Sequence, residues 1–239
     1  MKKLTEKIKS INFKYFISEL LIVVVGILIA LSLNNWREDN ANKNKEQYYL
    51  KSLKTDFEQS LASLNEILNQ NRESDLAAKK VLAAIHKGYS NSTVDTVKKG
   101  FRRLFGFNRF VPASGTYKEI ISTGSLQILR DDELRIALSS WEDMITRNQQ
   151  LEEVMFWQYH LMNIPYLNKH IVRSDFREKQ NNTEQNNLKT DFKKLFADPE
   201  FENILVNRIG AVEEANNYLV IMIEQVEHII SLINKDIAD

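Results

Sequence analysis

The four histidines are the residues of this 239-residue chain best suited to metal binding or acid–base chemistry: His86, His160, His170 and His228. A di-iron site in a helical bundle needs paired Glu-x-x-His motifs, and no histidine here has a glutamate three residues before it. Glu224 and His228 are four residues apart, so they could share a metal ion; a surface hydrogen bond or ion pair is the other interpretation. Cysteine is absent, which excludes disulfides, thiolate metal sites and cysteine nucleophiles.

The sequence lacks the short motifs that carry enzyme chemistry. It contains no H-E-x-x-H, no G-x-S-x-G, no P-loop and no dinucleotide-binding fingerprint, and no spacing links a serine to a general base. Catalysis needs a nucleophile with a base, or a metal, within reach of the substrate. We therefore predict a protein that is not an enzyme, with no catalytic residue, no metal and no cofactor.

The most unusual segment is FRRLFGFNRFVPASGTY, residues 101–117, which interleaves aromatic and arginine side chains. In a cytosolic protein this mixture would suggest stacking on nucleic-acid bases. Basic and acidic residues balance at 32 each, however, so we expect no nucleic-acid partner. Two interpretations stay open: an aromatic plug at one end of a helical bundle, and a recognition surface for an anionic ligand, a lipid headgroup or a protein. The candidate recognition residues are Phe101, Arg102, Arg103, Phe105, Arg109, Phe110 and Tyr117.

These side chains must be positioned by helices, and the most apolar helix predicted lies near the N-terminus. Residues 16–33 are interrupted only by one glutamate and two serines. As a helix this run reaches roughly 27 Å, close to the ~30 Å hydrocarbon thickness of a bilayer. Tyr15 and Trp36 flank the run, as aromatic residues do at membrane interfaces. The pattern predicts a transmembrane anchor over residues 16–36, with the lipid bilayer as its partner.

The flanking charges predict the orientation of this anchor. Residues 1–15 hold five lysines and one glutamate, and moving them outward against the membrane potential costs ~2.3 kcal/mol per charge per 100 mV. We expect a cytoplasmic basic tail at 1–15 and an extracytoplasmic, periplasmic domain at 37–239, in a single-pass protein of a bacterial inner membrane. A cleaved export signal is the alternative, because Ala30-Leu31-Ser32 resembles a cleavage site. The length of the run and Trp36 favour retention.

The anchor carries a face of polar and small residues. At about 100° per residue, Glu19, Gly26, Ala30 and Asn34 lie within about 80° of arc. Small residues four apart allow two helices to approach closely, and a polar side chain supplies a hydrogen bond between them. We predict that this face contacts a second copy or a transmembrane helix of a membrane partner. The other interpretation makes Glu19 an interfacial carboxylate that reaches headgroup water.

The remainder of the chain is predicted to be all-α. Glycine (7) and proline (3) are scarce, which favours long helices over many-stranded folds. Apolar residues from Gln47 to Asn71 recur at spacings near three and four, which predicts an amphipathic helix. Because no glycine or proline lies between Ala30 and Gly88, the anchor can continue into this helix. We predict a separate helix over Asp75–Lys87, closed by Gly88.

Capping residues predict the boundaries of the later helices. The expected signals are Ser92 with Asp95, Thr116 with Glu119 ahead of Gly124, the acidic cluster Asp131–Glu133, and Asp198 with Pro199. We expect Pro165 to end or kink the helix that begins near Asp131, and Gln180–Asn187 to form an exposed loop. Asn148 falls on an apolar seam, where it sets register or faces solvent. The predicted architecture is an N-terminal transmembrane helix followed by an elongated antiparallel helical bundle.

Two blocks carry a family resemblance. The first is Glu19 followed by GILIAL at 26–31 and NNW at 34–36; the second is TYKEIISTGSLQILRDDELR at 116–135. They resemble a family of uncharacterised, single-span bacterial envelope proteins with a domain of unknown function, although Ser18 stands where that family has glycine. The resemblance implies an uncleaved anchor and a helical domain outside the membrane. It implies no activity, substrate or catalytic residue.

These patterns favour a non-enzymatic interaction or scaffold component of an envelope complex, working as a homo-oligomer or with a membrane-protein partner. The alternative is a periplasmic ligand-sensing bundle whose small-molecule ligand is unknown. Only about 15 residues are expected in the cytoplasm, so such a sensor would signal through another membrane protein.

Overall fold

The computed structural model describes residues 2–105, 108–176 and 188–237, with side chains from Tyr15 onward. These residues form helices and no strands, which confirms the predicted all-α class for this part of the chain. The α-helices are α1 (Lys2–His86), α2 (Asn91–Leu104), α3 (Gly115–Ser122), α4 (Asp132–Trp157), α5 (Ile164–His170), α6 (Phe192–Phe196) and α7 (Pro199–Asp236). Ser125–Ile128 and Arg173–Phe176 are 3₁₀ turns, and Gln158–Asn163 is a π-helical turn. The predicted loop Gln180–Asn187 lies outside the described residues.

Helix α1 is unbroken over 85 residues, a length of roughly 130 Å. The prediction that a second helix begins at Asp75 is therefore wrong. Asn71 and Ser74 are buried and continue the apolar side of the helix, and the Ser74 hydroxyl donates to the Leu104 carbonyl at 3.3 Å. Ser74 finds partners on α2 and α7, and no glycine or proline interrupts the backbone hydrogen bonds, so nothing forces the helix to stop there.

Every residue from Tyr15 to Ala41 is exposed, including the whole apolar run. Within the described residues, α1 is the one helix long and apolar enough to cross a membrane, judged by its length and composition. Soluble proteins rarely expose a continuous apolar surface of this size. The segment therefore has the character of a surface that contacts lipid or another protein.

Helix α7 packs along the second half of α1 in the opposite direction. At one end the Gln47 side-chain amide donates to the Asp236 carbonyl at 2.8 Å. At the other end His86 Nε2 lies 2.8 Å from a Glu202 carboxylate oxygen. The C-terminal end of α7 thus lies at the end of the bundle nearest the exposed apolar run.

Helix α4 also runs opposite to α7. The Tyr218 hydroxyl donates to the Met144 carbonyl at 3.3 Å, and His228 lies 3.5 Å from Glu133. Helix α2 folds back on the distal part of α1. The long helices α1, α4 and α7 thus form the body of the bundle, and the shorter helices cover its sides.

Two apolar clusters make up most of the core. The lower cluster lies nearer the exposed apolar run and includes Tyr49, Leu53, Phe57, Tyr117, Trp141, Leu219 and Ile229. The upper cluster lies beyond it and includes Val81, Val97, Leu104, Tyr166, Phe201 and Leu205. On α1 the last member of the lower cluster is Leu68 and the first of the upper cluster is Ala78. Of the residues between them, 69–75 are polar or charged.

Helix α2 begins two residues before its predicted start. Ser90, rather than Ser92, is the N-cap: its hydroxyl accepts from the Thr93 N–H at 3.2 Å, and the Thr93 hydroxyl accepts from the Ser90 N–H at 2.9 Å. Gly88 has a positive φ of 85° as predicted for a residue that closes a helix. The turn that it makes places Ser90 at the capping position.

The predicted capping box of Thr116 and Glu119 is wrong as well. The Thr116 N–H donates to an Asp56 carboxylate oxygen at 2.8 Å, and Glu119 accepts from the Tyr49 hydroxyl at 3.2 Å. Both groups are engaged by α1, so tertiary partners replace the local cap. Gly124 has a positive φ of 65°, in agreement with its predicted place at the end of this helix.

The predicted acidic helix starts are confirmed. Asp131 accepts from the Leu134 N–H at 3.0 Å, and Asp198 accepts from the Glu200 N–H at 2.9 Å, with a proline next in the chain. Pro165 does not end the helical path. The π-helical turn before it leaves room for the ring and for the missing N–H, and α5 then continues to His170.

Gly100 and Gly210 form a matched pair of helical glycines. A Cβ at Gly100 would lie 2.5 Å from the Val81 Cγ2, whereas a Cβ at Gly210 meets nothing within 4 Å. Gly100→Ala is therefore expected to lower stability by about 1–3 kcal/mol through overpacking. Gly210→Ala is expected to raise it by up to about 1 kcal/mol through helix propensity. Thermal unfolding of the full-length protein in detergent, followed by circular dichroism, measures both; equal shifts would contradict the α1–α2 packing.

Candidate functional site

The predicted contact face of the anchor is accessible. Glu19, Gly26, Ala30 and Asn34 are all exposed on α1, and a Cβ at Gly26 would meet nothing within 4 Å. Glu19 makes no hydrogen bond within the described residues. The hydroxyl of the neighbouring Ser18, in contrast, donates to the Tyr15 carbonyl at 2.9 Å. The Glu19 carboxylate is thus available to a partner.

This face points away from the bundle. The side of α1 that the bundle covers begins with Glu46, Leu53 and Phe57, all buried. At about 100° per residue along one unbroken helix, the Glu19 face lies on roughly the opposite side from these residues. The bundle therefore does not block the approach of a second helix to the Glu19 face.

The aromatic side chains of the 101–117 segment are divided between the two clusters. Phe110 and Tyr117 are buried in the lower cluster, and the Phe110 ring centroid lies 6.0 Å from that of Trp141. Phe101 and Phe105 are half-buried against the upper cluster. The structure therefore does not bring these rings together on one surface, and they do not form a single plug.

The arginines of this segment also separate. The Arg109 guanidinium lies over the Phe156 ring, 5.0 Å from its centroid. Arg103 lies 3.9 Å from the Glu73 carboxylate, and Arg102 is exposed on α2. Of the seven predicted recognition residues, only Arg102 and Arg103 share an exposed stretch of one helix. Gly106 and Phe107 lie outside the described residues.

A row of polar groups on α1, which the sequence reasoning missed, holds the loops on both sides of α3. Glu46 is buried and accepts from the Arg130 N–H at 2.6 Å, with the Arg130 guanidinium 3.4 Å away. The Ser60 hydroxyl accepts from the Ala113 N–H at 3.1 Å. Glu46 falls on the apolar side of α1, and a charged residue at such a position is the signal that could have found it.

A second missed feature is a buried polar layer between the lower and upper clusters. We define this layer by Asn71 and Ser74 of α1, Asn148 of α4 and Arg208 of α7, all buried. Arg208 Nε donates to the Leu104 carbonyl at 3.0 Å, and its Nη2 lies 3.4 Å from the Ser74 hydroxyl. Burial lowers the pKa of Arg208 to about 10, because desolvation disfavours the charged form. The guanidinium stays protonated at neutral pH.

Glu152 closes the layer on the side of α4. Its Oε1 accepts from the Asn148 side-chain amide at 2.7 Å and from the Phe110 N–H at 2.8 Å. Burial raises the pKa of Glu152, and these two hydrogen bonds and the Arg109 charge oppose the rise only in part. The predicted seam position of Asn148 is therefore occupied by a buried amide that is paired within its own helix.

The sequence carried a signal for this layer. Asn71 and Ser74 continue the spacing of Leu64 and Leu68. Because we predicted that the first helix ends near Asn71, we did not assign Asn71 and Ser74 to its apolar side. Arg208 likewise follows Leu205 by three residues on the buried side of α7. When α1 is treated as one continuous helix, polar residues at positions that follow the apolar spacing indicate a buried polar layer.

The histidines are distributed over separate contacts. His228 lies beside Glu133 of α4 rather than Glu224, and His86 pairs with Glu202. His170 stacks on Tyr166, with ring centroids 4.3 Å apart. Within the described residues, no group of three or more histidine, aspartate or glutamate side chains lies close enough together to hold a metal ion.

The fold and these surfaces define an all-α protein that combines an exposed apolar helix with a buried polar layer. The model of a protein family, described as Family of unknown function (DUF6090), matches residues 19–154. These residues are more than half of the chain, and the protein belongs to this family. The match begins at Glu19 and extends through α2 and α3 into α4, whereas α7 lies beyond it. No curated protein matches the chain, and no solved structure does.

The buried hydrogen bonds of Glu46 predict a large effect of its removal. Glu46→Ala leaves the Arg130 N–H without its acceptor and is expected to cost about 1–3 kcal/mol of stability. Glu58→Ala is the control, because Glu58 is exposed and only 3.9 Å from Lys54, and its change is expected to stay within about 0.5 kcal/mol. Thermal unfolding of the full-length variants compares them. Similar losses in both would contradict the role assigned to Glu46.

The raised pKa of Glu152 predicts that the effect of Glu152→Gln on stability depends on pH. The folded-state pKa of Glu152 is raised above its ordinary value near 4.5, so the folded protein binds the proton more tightly than the unfolded chain. The resulting stability is fully present below about pH 4.5 and is lost as the pH rises through the folded-state pKa. The melting temperature of Glu152→Gln relative to wild type is therefore expected to rise between pH 4 and pH 8. A difference that is constant over this range would contradict the buried environment.

Proposed function

We propose that the protein is a non-enzymatic interaction or scaffold component of a bacterial envelope complex. Residues 16–36 would anchor it in the inner membrane as a single span, with the tail at 1–15 in the cytoplasm and the antiparallel bundle of 37–239 in the periplasm. This proposal rests on the continuity and exposure of helix α1. One unbroken helix is fully exposed over its apolar run and is then packed into the bundle.

The geometry of α1 supports a mechanical link between the anchor and the bundle. The first buried residue after the apolar run is Glu46, ten residues beyond Trp36. This distance is roughly 15 Å of helix, which extends beyond the headgroup region. A tilt or rotation imposed on the anchor in the membrane would therefore reach the bundle through one stiff element.

The Glu19 face supports a partner within the membrane. It is turned away from the bundle, and Glu19 has its carboxylate available for a hydrogen bond in an environment where such a bond replaces water. Outside the membrane the same side of α1 carries exposed charges such as Arg37 and Glu66. A parallel second copy would place each beside its own like charge, so the contact is proposed to be confined to the anchor.

A ligand-sensing bundle that signals through a membrane partner is the second candidate function. The observation that favours it is the polar layer between the two apolar clusters. A core that is interrupted by buried polar groups is more sensitive to a bound polar molecule than a continuous apolar core, because those groups change partners when the molecule binds. The same helix that carries this layer continues into the proposed anchor.

Gly26→Leu tests the proposed anchor contact. A leucine at this position prevents close approach of a second helix and is expected to weaken self-association or partner binding about tenfold or more. Val25→Leu is the matched control, because it adds bulk on the other side of the helix. Sedimentation in mild detergent and affinity purification of the full-length protein, with identification of what copurifies, provide the readout. A protein that stays monomeric and partner-free at all concentrations would refute the proposal.

A further inference from the structure

A cavity of about 200 Å³ opens beside the polar layer, between α1 and the end of α2. Its described lining residues are all polar or charged in type, although their carbon atoms form the larger part of the lining surface: Gln70, Asn71, Glu73, Ser74, Arg103 and Asn108. The Asn108 side-chain amide donates to the Gln70 side-chain oxygen, so these two residues are already paired. An empty apolar cavity stays dry, whereas polar side chains at a cavity wall bind water or a polar ligand. The volume equals that of about six or seven liquid water molecules, enough for a small amino acid and too small for a nucleotide.

Asn71 is the lining residue whose side-chain amide is free to bind a molecule in the cavity. It is 8% exposed, yet within the part of the chain that the structure describes its side-chain amide makes no hydrogen bond. Asn148 is buried to a similar degree and donates to Glu152 at 2.7 Å. Among the described residues the fully enclosed unpaired side-chain oxygens are those of Asp75 and Asn216, so the polar atoms of the Asn71 amide are not sealed from solvent. Its donors and its acceptor are therefore available to a molecule in the cavity.

The charges at the cavity are arranged as a pair. The Arg103 guanidinium and the Glu73 carboxylate lie at the mouth, 3.9 Å apart, with side chains 69% and 65% exposed. At this separation and exposure they bind each other weakly. Ser74 lies deeper, and the buried Arg208 donates to it from the side of α7. The cavity thus offers one cation and one anion at its rim and neutral hydrogen-bonding groups inside.

We propose that this cavity binds a zwitterion of amino-acid size. Its carboxylate contacts Arg103 and the N–H donors of Asn71, and its ammonium group contacts Glu73. A bound zwitterion exchanges the weak ion pair at the rim for two charge-assisted contacts and satisfies the Asn71 amide. The inference deepens the sensing candidate and does not depend on the anchor contact.

The site also explains how binding would reach α1. Four of the six lining residues belong to α1, and Arg103 belongs to α2. A ligand that joins Arg103 to Glu73 and Asn71 therefore fixes the distal part of α1 against α2. Because α1 is continuous from the cavity to Glu19, this constraint acts on the helix that carries the proposed membrane contact.

The experiment uses the full-length protein in detergent and five separate probes: glycine, L-alanine, L-serine, L-aspartate and L-glutamate. At least one is expected to bind in isothermal titration calorimetry and to raise the melting temperature by about 5 °C or more at a hundredfold excess over its Kd. Acetate and methylamine carry one charge each and are expected to give no shift at the same concentrations. If none of the five probes binds, or if acetate alone binds as well, the proposal is refuted, and the cavity holds water or a simple anion.

Two variants test the assigned contacts. Arg103→Gln removes the guanidinium from an exposed position and is expected to weaken binding at least tenfold without loss of folding. Asn71→Leu keeps the branched shape of the side chain, removes the amide and is expected to abolish binding. Arg102→Gln is the control, since Arg102 is the exposed neighbour outside the lining. Binding by Arg103→Gln at the wild-type affinity would overturn the proposal. Binding that survives Gly26→Leu separates this site from the anchor contact.

Discussion

Burial of one side of α1 is the constraint on which the rest of the structure depends. From Glu46 to Ile85 this side is covered by α7, α2 and the α3 region, and α4 is joined to it largely through α7. Isolated helices gain little stability from propensity alone, so the part of this 85-residue helix from Glu46 onward is stabilised mainly by such packing. The exposed polar stretch at 37–45 stays helical between the packed part and the apolar run, since nothing in it breaks the hydrogen-bond pattern.

The polar layer carries a desolvation penalty and fixes the register of the packed helices. Burying the Arg208 guanidinium lowers its pKa, which is a measure of the desolvation penalty. The Leu104 carbonyl and the Ser74 hydroxyl offset part of this penalty, and they exist only at one register of α7 against α1 and α2. A shift of α7 by one turn would place the charge in an apolar cluster. The layer therefore fixes the register of helices whose apolar faces alone would tolerate sliding.

The two proposed recognition features both lie on α1, at a separation of roughly 80 Å of helix between Glu19 and Asn71. The first is a face that suits a transmembrane helix, and the second is a cavity that suits a small zwitterion. A stiff helix between them requires no relay of loops, because any constraint on its distal part also constrains the orientation of its proposed membrane-spanning part. The family match covers Glu19, Asn71 and Arg103 together, so the elements of both features lie within the family's shared region.

Periodicity, scarce glycine and local capping by themselves determined the all-α class, the apolar run with its Glu19 face, and the helix starts at Asp131 and Asp198. Those features depend on residues a few positions apart. The helix starts predicted at Asp75 and Ser92 and the cap at Thr116 failed, because groups on other helices or in the preceding turn took the hydrogen bonds that local reasoning assigned to neighbours. The segregation of Phe110 from Phe101 and the meeting of Ser74, Leu104 and Arg208 were decided only by the tertiary structure. These residues are distant in sequence, and a single chain carries no local signal for which helix face packs against which.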